Sequence, residues 1–196
     1  MNSKTIAVIV VFAALTIVLN LPIKIPAPYA TFLIYQIWEI PIVAAFLLFG
    51  FKVGSAISII NTAMLLAIFP GELPTGPFYN LAAVLSMLFG IYLTQKFLKV
   101  QIGTRHRLTL PVVSTAVGIF FRVAFMTIVN WTFLPFEPPV GFGLPLEFVV
   151  AQLPVIAFFN ATLALYTIPV GYFLAEVAGS SMKYVGLNRQ TNTKTS

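Results

Sequence analysis

From Leu108 to Leu134 the chain carries a single charge, Arg122, and five other stretches are nearly as apolar: Thr5–Leu21, Gln36–Phe51, Val53–Phe69, Phe78–Leu98 and Leu146–Val177. A helix needs roughly 17–25 such residues to cross a bilayer. Within lipid the backbone must satisfy its own hydrogen bonds, which a helix does along its length. Charged residues make up 8% of the sequence, far below the roughly one quarter of a soluble domain, so there is too little charge to coat a water-facing surface. The pattern predicts an all-α integral membrane protein with six transmembrane helices, the second of them short and irregular because Pro41 lies near its start. Thr5–Leu21 has the length of a signal peptide. Val18-Leu19-Asn20 before Leu21-Pro22 offers no small-x-small cleavage site, however, and further spans follow, so it is read as the first span. Pro22–Tyr35, with Pro22, Pro26 and Pro28, reads as an interfacial loop. Pro154 and Pro169 are each positioned to kink the sixth span. Residues 1–178 form the expected membrane domain, and residues 179–196 a polar, disordered cytoplasmic tail.

The charges orient this arrangement. With alternating spans, one side receives Lys4, Lys52, Lys96, Lys99, Arg105, Arg107, Lys183, Arg189 and Lys194, nine of the 11 basic residues. The other side receives Lys24 with Glu39, Glu72, Glu137 and Glu147. Basic residues concentrate on the cytoplasmic side, which places both termini inside. The net charge of +6 thus fits an anionic membrane face. Nucleic acid is not an expected partner, since no basic stripe is interleaved with exposed aromatics.

Some residues do not belong in lipid. Arg122 stands about 20 Å into its helix at ~1.5 Å per residue, where a charge must face a partner or a wet cavity. Glu39 and Glu147 are its expected counter-ions. One alternative is that Arg122 only ties helices together through such a pair; the other is that it touches a ligand. Asn61, Asn80, Asn130, Gln152 and Asn160 come from four spans, most of them in the outer half. Carboxamides both donate and accept, which suits a neutral heterocycle carrying C=O and N–H groups. They are expected to converge beneath the outer rim, with Tyr29, Tyr35, Trp38, Phe78 and Tyr79 available to stack on a flat ligand. Phe69–Asn80, the sequence FPGELPTGPFYN, holds three prolines and two glycines beside Glu72, Thr75, Tyr79 and Asn80. It reads as the outer mouth of the site, with Pro77 in the first turn of the next helix, where its missing N–H is harmless.

These residues resemble those of the substrate-binding S components of energy-coupling-factor (ECF) transporters, closest to the riboflavin-binding branch. Ile23-Lys24-Ile25-Pro26 is similar to that family's first loop, and Ile40-Pro41 with Gly50-Phe51-Lys52-Val53-Gly54 to its short second helix and turn. Leu73-Pro74-Thr75-Gly76-Pro77 with Asn80 resembles the loop before its fourth helix. Arg122 with Asn130, then Leu153-Pro154 with Phe159-Asn160, resemble its last two helices. The resemblance implies six helices around one vitamin near the outer surface. It also implies docking on a coupling transmembrane subunit driven by two cytoplasmic ATPase subunits. Asn130 and Asn160 would then hydrogen-bond the ligand, while Thr75, Gly76 and Asn80 line the mouth. Tyr79, Gln152, Glu39 and Arg122 complete the candidate set. Two features depart from the family. Ala161-Thr162-Leu163-Ala164 follows Asn160 without the riboflavin branch's lysine, and Val11 stands where an Ala-x-x-x-Ala docking motif starting at Ala7 would have its second alanine.

Other functions are weighed against this one. Thiamin or a modified base is an alternative cargo for the same kind of subunit. A membrane enzyme would need a nucleophile–base pair or a metal cluster. The chain has no cysteine, its one histidine, His106, lies in a basic linker, and its five acids are scattered. No enzymatic activity, cofactor or metal is expected. A purely structural membrane subunit is the third class.

Overall fold

The computed structural model describes residues 3–20, 25–68, 73–98 and 109–192, and side chains within these except at 31, 32 and 182–192. Among the described residues six helices and one strand hairpin follow in the order α1 (Ser3–Asn20), β1 (Ile25–Ala27), β2 (Ala30–Tyr35), α2 (Glu39–Phe49), α3 (Phe51–Ile68), α4 (Gly76–Leu98), α5 (Thr109–Phe133) and α6 (Leu146–Asn192). Five of them, namely α1, α3, α4, α5 and the Leu146–Ser181 part of α6, are long and apolar enough to cross a membrane. At 11 residues and ~1.5 Å per residue, α2 covers only about 16 Å, roughly half the hydrocarbon. The chain is a multi-pass helical membrane protein.

The short second helix is the most enclosed element. Every residue of α2 from Pro41 to Leu47 is buried, and its Ile42 and Phe46 meet Ile57 of α3, Met87, Leu88 and Ile91 of α4 and Ile168 of α6 in the main core. Gly50 turns the chain from α2 into α3 with φ +90°, a left-handed conformation that glycine adopts without a Cβ penalty. Close backbone contact holds α4 to α5. A Cβ added at Gly90 would lie 2.9 Å from the Val117 carbonyl oxygen and 3.0 Å from Gly118 Cα. Small residues at helix crossings allow this approach where lipid supplies no hydrophobic drive.

Two expectations need correction. The segment expected as an irregular interfacial loop contains an antiparallel hairpin, with Ile25 opposite Tyr35 and Pro26 opposite Ile34. Pairing satisfies backbone groups that would otherwise be stranded next to lipid, and Thr31-Phe32-Leu33-Ile34-Tyr35 is a β-branched and aromatic run. The tail does not begin as disordered chain at Gly179, because α6 continues to Asn192. Neither Pro154 nor Pro169 ends it. Lys24, Phe69–Glu72, the linker at 99–108 with His106, and Lys194 lie outside the described residues.

Candidate functional site

The intramembrane charge is paired. Arg122 of α5 donates from Nη1 and Nη2 to the two carboxylate oxygens of Glu39, at 2.5 and 2.9 Å, and its Nε donates to Asn160 Oδ1 at 3.0 Å. Met87 Sδ of α4 lies 3.7 Å from Nη1. Both charged side chains are at most 3% exposed. A bidentate fork is the strongest arrangement for such a pair, and buried charges persist only when compensated in this way. Glu39 reaches the guanidinium because it opens α2 at mid-bundle depth. Glu147, the other expected counter-ion, is exposed at the start of α6, about 20 Å along the helix from Asn160 at ~1.5 Å per residue.

A second layer lies above this one. Thr75 Oγ1 donates to the carbonyls of Pro139 and Val140 at 2.5 and 3.0 Å, and Tyr79 Oη donates to Val140 at 2.9 Å. Gly76 opens α4 and Pro77 occupies its first turn, as its missing N–H requires. The 134–145 connection between α5 and α6 is thereby fastened over the upper end of α4. Three helices give the same spacing between the layers. Tyr79 to Met87, Asn130 to Arg122 and Gln152 to Asn160 are each eight positions apart, or ~12 Å. An apolar cluster of Leu134, Val149 and Ile156, with Tyr79, Leu144 and Leu153 against it, packs around the upper layer; only Leu153 and Ile156 fall between Gln152 and Asn160.

The carboxamides make separate hydrogen bonds rather than bonding to one another as a set. Asn130 Nδ2 donates to the Met126 carbonyl of its own helix, and Asn160 Nδ2 to that of Ile156. Asn61 instead accepts from Asn20 of α1 at 3.4 Å. The reason is that a buried amide N–H must find a partner, and the carbonyl one turn earlier is the nearest. Asn80 and Gln152 are half-buried in the upper layer and make no side-chain hydrogen bond among the described residues. The structure therefore brings Glu39, Arg122 and Asn160 together as a floor and Thr75, Gly76 and Tyr79 together at the rim. Asn80, Asn130 and Gln152 stand separately between or beside them. Phe78 and Trp131 are 52% and 51% exposed, as belt residues are.

Sequence reasoning missed the polar contacts of the hairpin. Thr162 donates to the carbonyls of Phe158 and Phe159, so Tyr35 Oη donates to Thr162 at 2.7 Å and Tyr29 Oη to Tyr35 at 2.6 Å. Tyr166 Oη donates to the Gln36 carbonyl at 2.5 Å, and Trp38 Nε1 donates to the Gln36 side chain. The signal was two tyrosines of the second span's approach facing a threonine and a tyrosine one turn apart on the sixth. Spacing along one helix does not reveal its partner on another.

No protein-family model and no curated protein matches the sequence. A solved structure of the S component of a bacterial ECF transporter superposes with a TM-score of 0.71 at 23% identity, covering 93% of this chain and 99% of that one. The chain has the fold of an ECF transporter S component.

Proposed function

We propose that this protein is the substrate-binding subunit of an ECF-type uptake system and takes a flat, uncharged vitamin, riboflavin or a close relative, from the outer side of the membrane. The observation that carries this reading is the likeness of fold to an ECF S component over nearly the full length of both chains. Two local features support it. The charge of Arg122 is cancelled by Glu39, so a ligand resting on this floor meets no uncompensated cation. The layer between floor and rim is ~12 Å deep on three helices, and the cluster of Leu134, Val149 and Ile156 that packs at its upper end is aliphatic and able to part around a ring system. In this reading Asn130, Asn160, Asn80 and Gln152 supply the hydrogen bonds, Tyr79 a stacking face, and Thr75 and Gly76 the mouth. The ligand enters when the 134–145 connection lifts from Thr75 and Tyr79.

An S component takes its energy from partners. The coupling transmembrane subunit and its two ATPase subunits belong to this proposal, as does an orientation with both termini in the cytoplasm. On α1, Ala7, Val11 and Ala14 are exposed on the lipid side, a surface that a partner helix could cover. A structural subunit is a second reading, favoured by the fact that the hydrogen bonds of Arg122 go to protein groups.

Titration of riboflavin with the purified chain, followed by flavin fluorescence, tests the cargo. The expected result is saturable quenching that Asn160→Leu abolishes while the helical circular dichroism is retained. Absence of quenching in the unaltered protein would remove riboflavin, and retained binding in Asn160→Leu would remove the role of Asn160.

A further inference from the structure

A cleft of about 440 Å³ opens between the hairpin and α6, lined by Ile25, Tyr35, Gln36, Ile37, Thr162 and Tyr166. Its size lies within the ~300–1,000 Å³ typical of small-molecule sites, yet it is separate from the layer between Arg122 and Tyr79. Thr162 and Tyr166 share their side of α6 with Phe158, Leu165 and Phe173, which are 57%, 57% and 64% exposed. On a membrane-spanning helix that side faces hydrocarbon. Asn160, Leu163, Ala164 and Thr167 point the other way and are buried. The mouth of the cleft is therefore continuous with the lipid-facing surface of α6 and opens sideways rather than toward water.

Its depth agrees. Gly179 of α6 lies beside Leu48 at the end of α2, level with the turn at Gly50. Tyr166 is thirteen positions above it, about 20 Å at ~1.5 Å per residue, within a hydrocarbon core ~30 Å thick. The hydroxyls of the walls are engaged with protein groups. The hydroxyls of Tyr29, Tyr35 and Thr162 form one chain that ends on the Phe158 and Phe159 carbonyls. The Tyr166 hydroxyl and the Trp38 indole are spent on Gln36. What remains for an occupant is ring faces, aliphatic surface and the amide N–H groups of Gln36.

We propose that this cleft binds an acyl chain of a bilayer phospholipid, wedged between the hairpin and α6. The site is independent of the cargo, and its occupant reaches it from the hydrocarbon without crossing the outer mouth. The bound chain lies against Gln36 and Ile37, a few residues from Glu39, so it props the segment that delivers Glu39 to Arg122.

Photolabelling tests this with the full chain in liposomes containing phosphatidylcholine that bears a diazirine midway along one acyl chain. Labelling of Tyr35, Ile37 and Tyr166 is expected to exceed severalfold that of Phe158, Leu165 and Phe173, which are more exposed. Ile37→Phe, which fills the cleft, is expected to lower it to the level of those residues, and so is the smaller change Thr162→Leu. Saturating riboflavin is expected to leave it unchanged. Labelling no stronger than on the exposed side in the unaltered protein would overturn the proposal, as would labelling insensitive to both substitutions. Displacement by riboflavin would overturn it while supporting the cargo, and unchanged labelling in a chain that fails to bind riboflavin would retain the lipid site and remove the cargo.

Discussion

Arg122 and Glu39, 83 positions apart in the chain, meet as a bidentate ion pair with Asn160 on the third side of the guanidinium. The pair crosses from α5 to the first residue of α2 and fixes that half-length helix against the bundle. Removing one partner leaves a buried charge alone, which costs ~3–5 kcal/mol, whereas replacing both with apolar residues of similar volume is often close to neutral. Glu39→Leu and Arg122→Met are each expected to lower the unfolding midpoint sharply in detergent. The double change Glu39→Leu with Arg122→Met is expected to recover most of the loss. Additive losses in that double-mutant cycle would show that the two residues are not energetically coupled.

The hydroxyls of Thr75 and Tyr79 hold the 134–145 connection by its Pro139 and Val140 carbonyls. A hydrogen bond of this kind contributes ~0.5–1.5 kcal/mol. Thr75→Val together with Tyr79→Phe should raise amide hydrogen exchange across 134–145 by roughly tenfold, since ~1.4 kcal/mol is a factor of ten, and leave exchange in α4 below Met87 unaltered. Equal exchange in the two proteins would mean that these bonds do not close the mouth.

At the α4–α5 crossing, the two glycines differ in what a methyl group would strike. At Gly90 it meets backbone of the facing helix, whereas at Gly118 the nearest atom is Cδ1 of Ile168, 2.5 Å away. A side-chain end can rotate aside; a helix backbone cannot. Gly90→Ala is expected to cost ~1–3 kcal/mol as overpacking does, and Gly118→Ala less, by thermal unfolding in the same detergent. The reverse order would contradict the crossing geometry.

The absence of cysteine makes the orientation easy to map. Single cysteines at Lys52 and Ser180 are expected to react with a membrane-impermeant maleimide only after the membrane is opened. Cysteines at Val140 and Phe142, both exposed on the 134–145 connection, are expected to react in intact cells. The opposite pattern would invert the topology.

The spans were legible because apolar length is a strong signal. α1, α3, α4 and α5 begin and end within two residues of the runs that announced them, whereas α6 continues past Val177 to Asn192, and Pro77 falls in the first turn of α4. The partner of Arg122 was half legible, since a charge in lipid demands an acid, yet nothing in the sequence separated Glu39 from Glu147. What separated them is depth, because α2 starts at mid-bundle and α6 starts at its rim. The hairpin was illegible for a different reason. Proline and a lone lysine mark Pro22–Tyr35 as non-helical, but strand pairing depends on a cross-chain register that only the fold supplies. The hydrogen bonds of the carboxamides were not legible either, because the sequence shows their number, whereas the carbonyl one turn back accepts from Asn130 and Asn160.

The central claim is that this chain holds a flat, uncharged small molecule between the Arg122–Glu39–Asn160 floor and the Thr75–Tyr79 rim. Mass spectrometry of small molecules released from protein gently purified out of native membranes tests it most directly. The account predicts one neutral, planar, nitrogen-rich compound in near-stoichiometric amount, lost from the Asn160→Leu protein. Release of only phospholipid from both proteins, or of a compound whose amount is indifferent to Asn160, would contradict it.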